Sequence, residues 1–372
     1  MASLTGSWHG VQQLLVTLDG GAQVPALGYP SLTGEVAVGD QVLLNASAYE
    51  RGLGTGGFAL VVGRTDPPPP DGAQAPPAPG HLVKARYTPT QAMVLGVDEQ
   101  ESPHHALLRD ADSLDGTPVV VADLHSSLPA IVAGARWAAE MDGRPAPRVA
   151  YVMTDGGALP AWFSRTVAVL RDAGWLAATV TCGQAYGGDL EAVSVHSALL
   201  AARLVVGADL VVVTQGPGNL GTGTRWGFSG VSAGEAVNAA ATLGARPVAA
   251  LRVSGADERE RHRGVSHHSA TAYGRVALAP ADVVVPRFTA VLPAYDERMA
   301  LLDAQVLEES AELGLTSAGH RLVEIDVDPA LAAALERTPV RLSTMGRTLA
   351  QDPTAFYAAA VAGAHAQRLI DG

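Results

Sequence analysis

From residue 119 onward, short runs of apolar residues alternate with longer segments of mixed polarity. The apolar runs are unbroken, as in 210–214 (LVVVT), which is typical of strands that are covered on both faces of a sheet. The predicted strands are 119–124, 148–154, 178–182, 210–214, 247–253, 282–286 and 321–327. The predicted helices are 129–140, 162–172, 190–206, 233–243, a segment after 268, 297–312, and pieces near 329–336 and 353–370. This alternation predicts an α/β fold class with a mostly parallel, doubly wound, Rossmann-like sheet of at least five strands.

The first 65 residues have a different pattern. Valine and leucine cluster in 12–18, 34–44 and 58–62, and glycines separate these segments. This favours short strands joined by turns, so we expect residues 1–65 to form a small β-barrel or sandwich. Seven of the 15 residues in 66–80 are proline, which predicts a semi-rigid linker. Residues 81–372 then form the α/β domain, beginning with two predicted strands at 82–87 and 93–97.

Composition and charge exclude several classes of function. The net charge is −12, which argues against sequence-independent nucleic-acid binding and against anionic membrane surfaces. The N-terminus lacks the charged and apolar regions of a signal peptide, and no run of about 18 apolar residues is present. The single cysteine, Cys182, excludes an intramolecular disulfide and a multi-cysteine metal site. These features predict a cytoplasmic protein.

The loops that follow four successive predicted strands are rich in glycine or charge. They are 154–160, 182–192, 214–230 and 254–269. Ligands of open parallel sheets bind outside the carboxyl ends of the strands, where these loops lie. A strand–helix connection needs only about 2–6 residues, so the last two loops are longer than connection alone requires. We therefore expect 154–160, 183–191, 216–230 and 261–268 to converge on one pocket.

The longest of these loops favours the binding of an anion. Its glycines let backbone N–H groups approach a ligand closely, and it precedes a predicted helix N-terminus, which attracts negative charge. It matches neither a Walker A motif nor a dinucleotide fingerprint. An alternative is a glycine-rich turn that packs against a neighbouring subunit. The predicted ligand-binding residues here are Gly216, Gly218, Asn219, Gly221, Thr222, Gly223, Thr224 and Arg225.

The run 262–268 (HRGVSHH) adds basic and titratable groups at the next strand end. Arginine binds carboxylate or phosphate through two parallel hydrogen bonds, so Arg261 and Arg263 are predicted ligand-binding residues. Histidine transfers protons near neutral pH, so His267 and His268 are predicted catalytic residues. The charged residues 257–261 also fit a solvated surface.

Acidic residues at strand ends are further catalytic candidates. Asp155 directly follows a predicted strand, and Asp189 opens a predicted helix, where an N-cap role is the alternative. Asp123 and His125, at the end of another strand, are expected at the same crevice. Lys84, the one lysine among 25 basic residues, is a predicted ligand-binding residue.

The sequence also bears on metal binding and on assembly. The adjacent histidines 104–105 and 267–268 could form a metal site with His125, Asp155, Asp189 and Glu191. Neither pair has the spacing of zinc proteases, so we name no metal ligand and no cofactor. Cys182 fits a small buried residue better than a nucleophile. We expect a homodimer, because Trp226 and Phe228 lie in a long loop and 355–364 is apolar.

Several long motifs resemble an uncharacterised bacterial family of full-length proteins that is classified as a domain of unknown function. The resemblance implies one full-length protein type rather than a modular fusion, and it brings no activity, cofactor or catalytic residue. The motifs are GLGTGG (52–57), GHLVKARYTPTQ (80–91), ESPHH (101–105), YVMTDGGALP (151–160), GQAYGGDLEAV (183–193), QGPGNLGTGTRWGFSG (215–230) and RHRGVSHHSATAYGRVALAP (261–280).

The residues therefore predict an enzyme that acts on a small anionic metabolite, phosphorylated or nucleotide-like. The glycine-rich loop would hold the anion, while Asp155 and a histidine would transfer protons. Arg225 or Arg263 would stabilise developing charge. A ligand-binding or regulatory protein that uses the same pocket is the alternative, and a metal-dependent hydrolase is a second one.

Overall fold

The computed structural model describes residues 2–53, 55–65, 80–289 and 297–370. The predicted linker 66–80 lies outside the described residues except for Gly80. The strands are β1 (Ala2–Trp8), β2 (Val11–Thr17), β3 (Gln23–Gly28), β4 (Val42–Asn45), β5 (Ala59–Arg64), β6 (Leu82–Lys84), β7 (Ala92–Val94), β8 (Pro118–Val121), β9 (Val149–Thr154), β10 (Ala178–Thr181), β11 (Leu190–Glu191), β12 (Leu210–Gln215), β13 (Arg246–Ala250), β14 (Val253–Ser254), β15 (Gly264–Val265), β16 (Asp282–Arg287), β17 (Arg321–Asp326), β18 (Ser343–Thr344) and β19 (Arg347–Thr348).

The helices connect these strands. They are α1 (Pro30–Thr33), α2 (Ser47–Glu50), α3 (His105–Leu108), α4 (Leu128–Met141), α5 (Arg165–Asp172), α6 (Val195–Leu200), α7 (Ser232–Thr242), α8 (His267–Thr271), α9 (Glu297–Gly314), α10 (Pro329–Glu336) and α11 (Pro353–Leu369). Both α6 and α8 continue into a π-helical turn, Ala201–Val205 and Ala272–Val276 respectively. In the described part of the chain, no helix combines the length and the apolar character needed to cross a membrane.

Eight strands form one all-parallel sheet in the order β11-β10-β9-β12-β8-β13-β16-β17. The predicted parallel sheet is therefore confirmed. Val119, Val120 and Val121 of the central strand β8 have no exposed surface, so both faces of the sheet are covered. The order differs from the usual Rossmann order, in which the first two strands of the sheet are neighbours. Here β12 lies between the first two, β8 and β9.

A change of winding direction lies between the neighbouring strands β8 and β12. The helix after β8, α4, leads to β9 on one side, whereas the helix after β12, α7, leads to β13 on the other side. Right-handed crossovers in opposite directions place these helices on opposite faces. The carboxyl ends of β8 and β12 therefore border the crevice where parallel sheets bind ligands.

The helix pair α4 and α11 covers one face of this sheet. The two backbones meet at Gly134 and Gly363, where a methyl group on either glycine would overlap a carbonyl oxygen, that of Ala360 or Ile131 respectively. Residues 355–364 are thus mostly buried inside the chain, which removes one reason to expect a homodimer. The exposed Trp226 remains as the other reason, and the homodimer stays a prediction.

The N-terminal unit is a separate five-stranded sheet in the order β1-β2-β3-β5-β4. Its strands pair antiparallel except for β3 and β5, which are parallel. The predicted barrel is wrong, because no ladder joins the edge strands β1 and β4 in the described residues. Outside the strand ladders, the backbone of Ala2 bonds to Gly39 and Asp40.

The two sheets are joined through Trp162, which follows β9 in the large domain. Its carbonyl accepts a hydrogen bond of 2.7 Å from the indole of Trp8, and its ring packs against Tyr29 of the N-terminal unit. A side chain on Gly10 would collide with the same ring. This packing brings the N-terminal sheet up to the carboxyl-end loops of the parallel sheet.

Two predicted elements differ from the structure. Residues 190–206 were predicted as one helix, but Leu190–Glu191 is an edge strand that pairs with β10, and the helix begins at Val195. The segment 34–44 was predicted as a strand, but only its end belongs to one, β4. The strand β1, which was not predicted, forms the opposite edge of the N-terminal sheet.

Candidate functional site

Polar side chains meet at the carboxyl ends of β8 and β12. Asp123 follows β8 and is 2% exposed, and Gln215 ends β12 and is also buried. The Gln215 amide donates a hydrogen bond of 2.8 Å to the Asp123 carbonyl, so it fixes the backbone that carries the carboxylate. The other polar groups of the site lie around this point.

Three histidines pack beside Asp123, and we call His262, His267 and His268 the histidine cluster. Their ring centroids lie 4.5–4.9 Å apart. The chain brings them together through a short 3-10 turn that ends at His262, the two-residue strand β15, and the start of α8. Gly264 makes this return possible, because its φ of +69° belongs to the left-handed region that favours glycine.

Each ring in the cluster is held differently. His262 Nδ1 lies 2.7 Å from the hydroxyl of Ser266, the residue that caps α8. His268 Nδ1 lies 3.3 Å from Asp123 Oδ2 and 3.1 Å from Arg252 Nη1. His267 Nε2 is buried and has no hydrogen-bond partner in the described part of the chain. Buried polar atoms are nearly always paired, so this nitrogen calls for an explanation.

An aromatic ring closes one side of the cluster. Phe228 stacks on His268 with centroids 3.8 Å apart and planes 5° apart, and its ring meets His267 edge-on. Phe228 is buried at the base of the loop 216–230, where it pairs with Gly221. The predicted glycine-rich loop therefore contacts the predicted histidines.

Electrostatics keep His262 and His267 neutral and Asp123 charged. Burial, together with the nearby positive charges, lowers the pKa of His262 to about 3 and that of His267 to about 4. Burial alone would raise the pKa of Asp123, but the hydrogen bond to His268 and the charge of Arg252 hold it below its usual value. At neutral pH, His262 and His267 therefore offer nitrogen lone pairs beside an ionised aspartate.

Arginines surround the cluster although the protein is acidic overall. Arg252, which follows β13, is buried and lies 3.7 Å from Asp123. Arg261 is exposed, and its guanidinium lies next to Gly223 in the neighbouring loop. Arg263 is exposed and reaches the Asp257 carbonyl at 3.5 Å. The predicted arginines thus lie at the cluster or on the same loop.

A second ion network fixes the loop that carries these arginines. Asp257 is buried and accepts hydrogen bonds from both Arg259 and Arg347 at 2.8–2.9 Å. The Arg259 bond is the main reason that the pKa of Asp257 lies well below its usual range. Arg347 also bonds to the buried Asp352, at the start of α11. The loop is thereby anchored to the C-terminal part of the fold.

The tip of the glycine-rich loop is an exposed hairpin that bonds largely to itself. The Thr222 and Thr224 hydroxyls bond to each other and to the Gly227 backbone, and the Asn219 side chain bonds to Ser229. Several of its predicted ligand donors are therefore occupied within the loop. Residues 218 and 220–226 are exposed, including Arg225. Anion binding here stays a prediction.

The two predicted catalytic aspartates lie away from the histidine cluster. Asp155 follows β9, two strand positions or about 10 Å from β8, and accepts a hydrogen bond from the Gln184 backbone. Asp189 bonds to Arg171 and to the Thr179 backbone, at 2.9 and 2.7 Å. Asp189 thus stabilises the β10 edge, and it does not cap a helix.

Lys84 is a buried structural cation in this fold. It is 2% exposed, and its ammonium donates to Glu191 Oε2, to the Ala185 carbonyl and to the Thr181 carbonyl at 2.8–3.1 Å. All three of its N–H donors therefore have protein acceptors. Lys84 joins the β6–β7 hairpin to the edge of the large sheet instead of facing the cluster.

Two more sequence candidates have local roles. Burial raises the pKa of the Cys182 thiol to about 12, so it is a poor nucleophile at neutral pH. His125 bonds through its two ring nitrogens to Tyr151 at 2.9 Å and to Ser164 at 2.7 Å. It therefore faces β9 and α5, whereas Asp123 faces the histidine cluster.

The four predicted loops form one continuous edge but border two different places. Loop 154–160 bonds to Pro217 and to Tyr186, so the first three loops are neighbours. These three line a cavity of about 520 Å³ against the N-terminal sheet. The fourth loop, 261–268, carries the histidine cluster, which touches the third loop through Phe228. Three residues of the site lay outside the predicted catalytic and ligand-binding set: Asp123, Arg252 and His262.

Comparison with known proteins identifies a family but no activity. The family model described as "Protein of unknown function (DUF3866)" matches residues 25–363, which is most of the 372-residue chain. No curated protein and no solved structure matches the chain. The resemblance seen in the sequence motifs is thus confirmed: the chain belongs to the DUF3866 family.

Proposed function

We propose that this protein is an enzyme that acts on a small anionic substrate bound at the histidine cluster. One observation carries the proposal. Neutral imidazoles, an ionised buried aspartate and arginines meet at the carboxyl ends of the parallel strands β8 and β12, where the winding direction of the sheet changes. Groups with perturbed pKa values in such a crevice are typical of catalytic sites.

The positive charge at the site favours an anionic substrate. Arg261 is exposed at the cluster, and Arg252 lies beneath it, yet the whole chain has a net charge of −12. Guanidinium groups bind carboxylate and phosphate through two parallel hydrogen bonds. A local concentration of positive charge of this kind attracts an anion to one place on an acidic protein.

The Asp123–His268 pair supports an enzyme over a protein that only binds an anion. A buried, ionised carboxylate beside an imidazole nitrogen fixes the tautomer and orientation of the ring. The arginines are sufficient for anion binding, so an oriented imidazole is not needed for that purpose. We therefore favour an enzyme over the ligand-binding alternative, which uses the same arginines without chemistry.

The test is turnover of a panel of phosphorylated and carboxylated metabolites, followed by mass spectrometry of the products. For a substrate that is turned over, His268→Asn should lower kcat by about 10²- to 10⁴-fold, the usual effect of losing such a group. The control His196→Ala removes an exposed imidazole from α6 and should leave kcat unchanged.

Two results would overturn the proposal. Equal turnover by wild type and His268→Asn would place the chemistry elsewhere. Calorimetric binding of a panel anion, weakened by Arg261→Ala but without turnover of any compound, would identify a binding protein. Thermal unfolding of each variant shows whether it keeps the native fold.

A further inference from the structure

We infer that the histidine cluster is a binding site for a divalent transition-metal ion, and that zinc is the ion it fits best. The inference concerns the same residues as the proposed function, but it rests on their geometry and is tested without any substrate. Three imidazole ligands that leave one position open are the ligand set of a catalytic zinc site.

The ring nitrogens are close enough to share one ion. One nitrogen from each of His262, His267 and His268 lies within 4.8 Å of the other two. Zinc–nitrogen bonds of about 2.0–2.1 Å in tetrahedral geometry place ligand nitrogens roughly 3.4 Å apart. To bind one ion, the three atoms would have to close from at most 4.8 Å to that spacing.

The hydrogen bonds of the cluster leave the required lone pairs. His262 uses Nδ1 toward Ser266, which leaves Nε2 for a metal. His267 Nε2 is buried and has no partner in the described residues, and a bound ion would supply one. A ligand imidazole typically donates its other N–H to a carboxylate or a neutral oxygen, and the Ser266 hydroxyl can accept such a bond when His262 Nδ1 carries the proton.

The tautomer of His268 determines whether all three imidazoles can bind the ion. When its Nδ1 carries the proton, it donates to Asp123 Oδ2, and Nε2 has a free lone pair. When Nδ1 instead accepts from Arg252, the proton sits on Nε2 and the ring cannot bind a metal. Asp123, which is 2% exposed and lies 3.3 Å from this nitrogen, favours the first arrangement because a buried carboxylate needs a donor. This is the carboxylate–histidine–metal arrangement of known zinc sites.

The ligand types select the kind of ion. Three imidazoles without a carboxylate suit zinc and its neighbours among the transition metals, whereas magnesium and calcium prefer oxygen ligands. The one other group with metal-ligand spacing in the described residues is His81, Glu99 and Glu101. It includes an exposed histidine, and Glu99 already accepts from two backbone N–H groups, so it serves as the internal control.

The experiment uses the untagged full-length chain, stripped with a chelator and titrated with ZnCl₂ against a chromophoric zinc indicator. Wild type should take up one tightly bound zinc per chain. His267→Ala removes one of three ligands and should weaken that affinity by at least about 100-fold, whereas the matched control His81→Ala should not. Asp123 would act on the ion only through His268, so Asp123→Asn should weaken the zinc affinity by about 10- to 100-fold.

Cobalt gives an independent readout of the same site. Co²⁺ substituted into wild type should show the intense visible absorption of a four-coordinate ion, and His262→Ala should lose it. The inference is overturned if stripped wild type binds no zinc, if His267→Ala binds as tightly as wild type, or if His81→Ala abolishes binding. Zinc binding without turnover of any compound would refute the proposed function alone, and turnover by a wild type that takes up no zinc would refute the metal site alone.

Discussion

Replacement of Lys84 by methionine separates a structural role from the ligand-binding role that the sequence predicts. In the structure, the Lys84 ammonium is buried against Glu191, with the two charged atoms 2.8 Å apart. Methionine keeps most of the volume of the side chain but removes the charge and the three N–H donors. We therefore expect the main effect on the free energy of unfolding and not on ligand affinity.

The loss in unfolding free energy depends on how Glu191 is bonded once Lys84 is replaced. Glu191 is 8% exposed and would keep its hydrogen bonds from Thr181 Oγ1 and the Gly187 backbone, but it would lose the one cation that pairs with it in the described part of the chain. Removal of one partner from a buried ion pair typically costs about 3–5 kcal/mol. Because the two remaining hydrogen bonds partly satisfy the carboxylate, we expect a loss of about 3 kcal/mol.

The assay is equilibrium unfolding in urea at pH 7.5, followed by circular dichroism. Arg109→Met is the control, because Arg109 and Asp110 form an ion pair whose side chains are 63% and 79% exposed. It should change the free energy of unfolding by less than about 0.5 kcal/mol. The double variant Lys84→Met/Glu191→Gln should recover part of the loss. A cost below about 1 kcal/mol for Lys84→Met, together with weakened anion binding, would refute the structural role.

Three further outcomes are expected. Gly134→Ala should lower the free energy of unfolding by about 2–3 kcal/mol despite the better helix propensity of alanine, because its methyl group overlaps the backbone of α11. The control Gly63→Ala, at an open position, should change this free energy little. A Gly134→Ala variant more stable than wild type would contradict the close contact between α4 and α11. Burial lowers the pKa of His125 to about 4, so the unfolded state binds a proton before the folded state does as the pH falls from about 6.5. Between pH 7 and 4, wild type should therefore lose about 2–3 kcal/mol of unfolding free energy that His125→Gln does not lose. Parallel curves of unfolding free energy against pH for the two proteins would refute this. Cys182 should react with a thiol reagent at pH 8 only upon unfolding, and rapid labelling of the native protein would contradict its burial.

The parallel sheet was predictable from the sequence because its strands are unbroken runs of valine and leucine. Such runs are typical of strands that are covered on both faces, and the alternating helices imply parallel crossovers. The strand order was not predictable, because no local feature of 210–215 indicates that β12 lies between β8 and β9. The edge strand Leu190–Glu191 was missed for a similar reason. It depends on pairing with β10 and on the distant Lys84.

The candidate site was predictable in part. His267, His268 and Arg261 lie in a run of basic residues that follows a strand, and the structure gathers them at one place. Arg252 ends an apolar segment that resembles an ordinary strand, and its role appears only through its contact with Asp123. The sequence predicts Asp189 as functional because it follows two glycines after a predicted strand, and Lys84 because it is the one lysine among 25 basic residues. Their partners, Arg171 and Glu191, are distant in sequence.

The most direct test of the histidine cluster as the functional centre is anomalous diffraction at the zinc edge from crystals of the full-length protein grown with one equivalent of ZnCl₂. The account predicts one strong peak enclosed by His262, His267 and His268, at about 2.0–2.1 Å from a nitrogen of each ring. A peak at His81 and Glu99 with none at the cluster, or an ordered cluster without a peak, would contradict it.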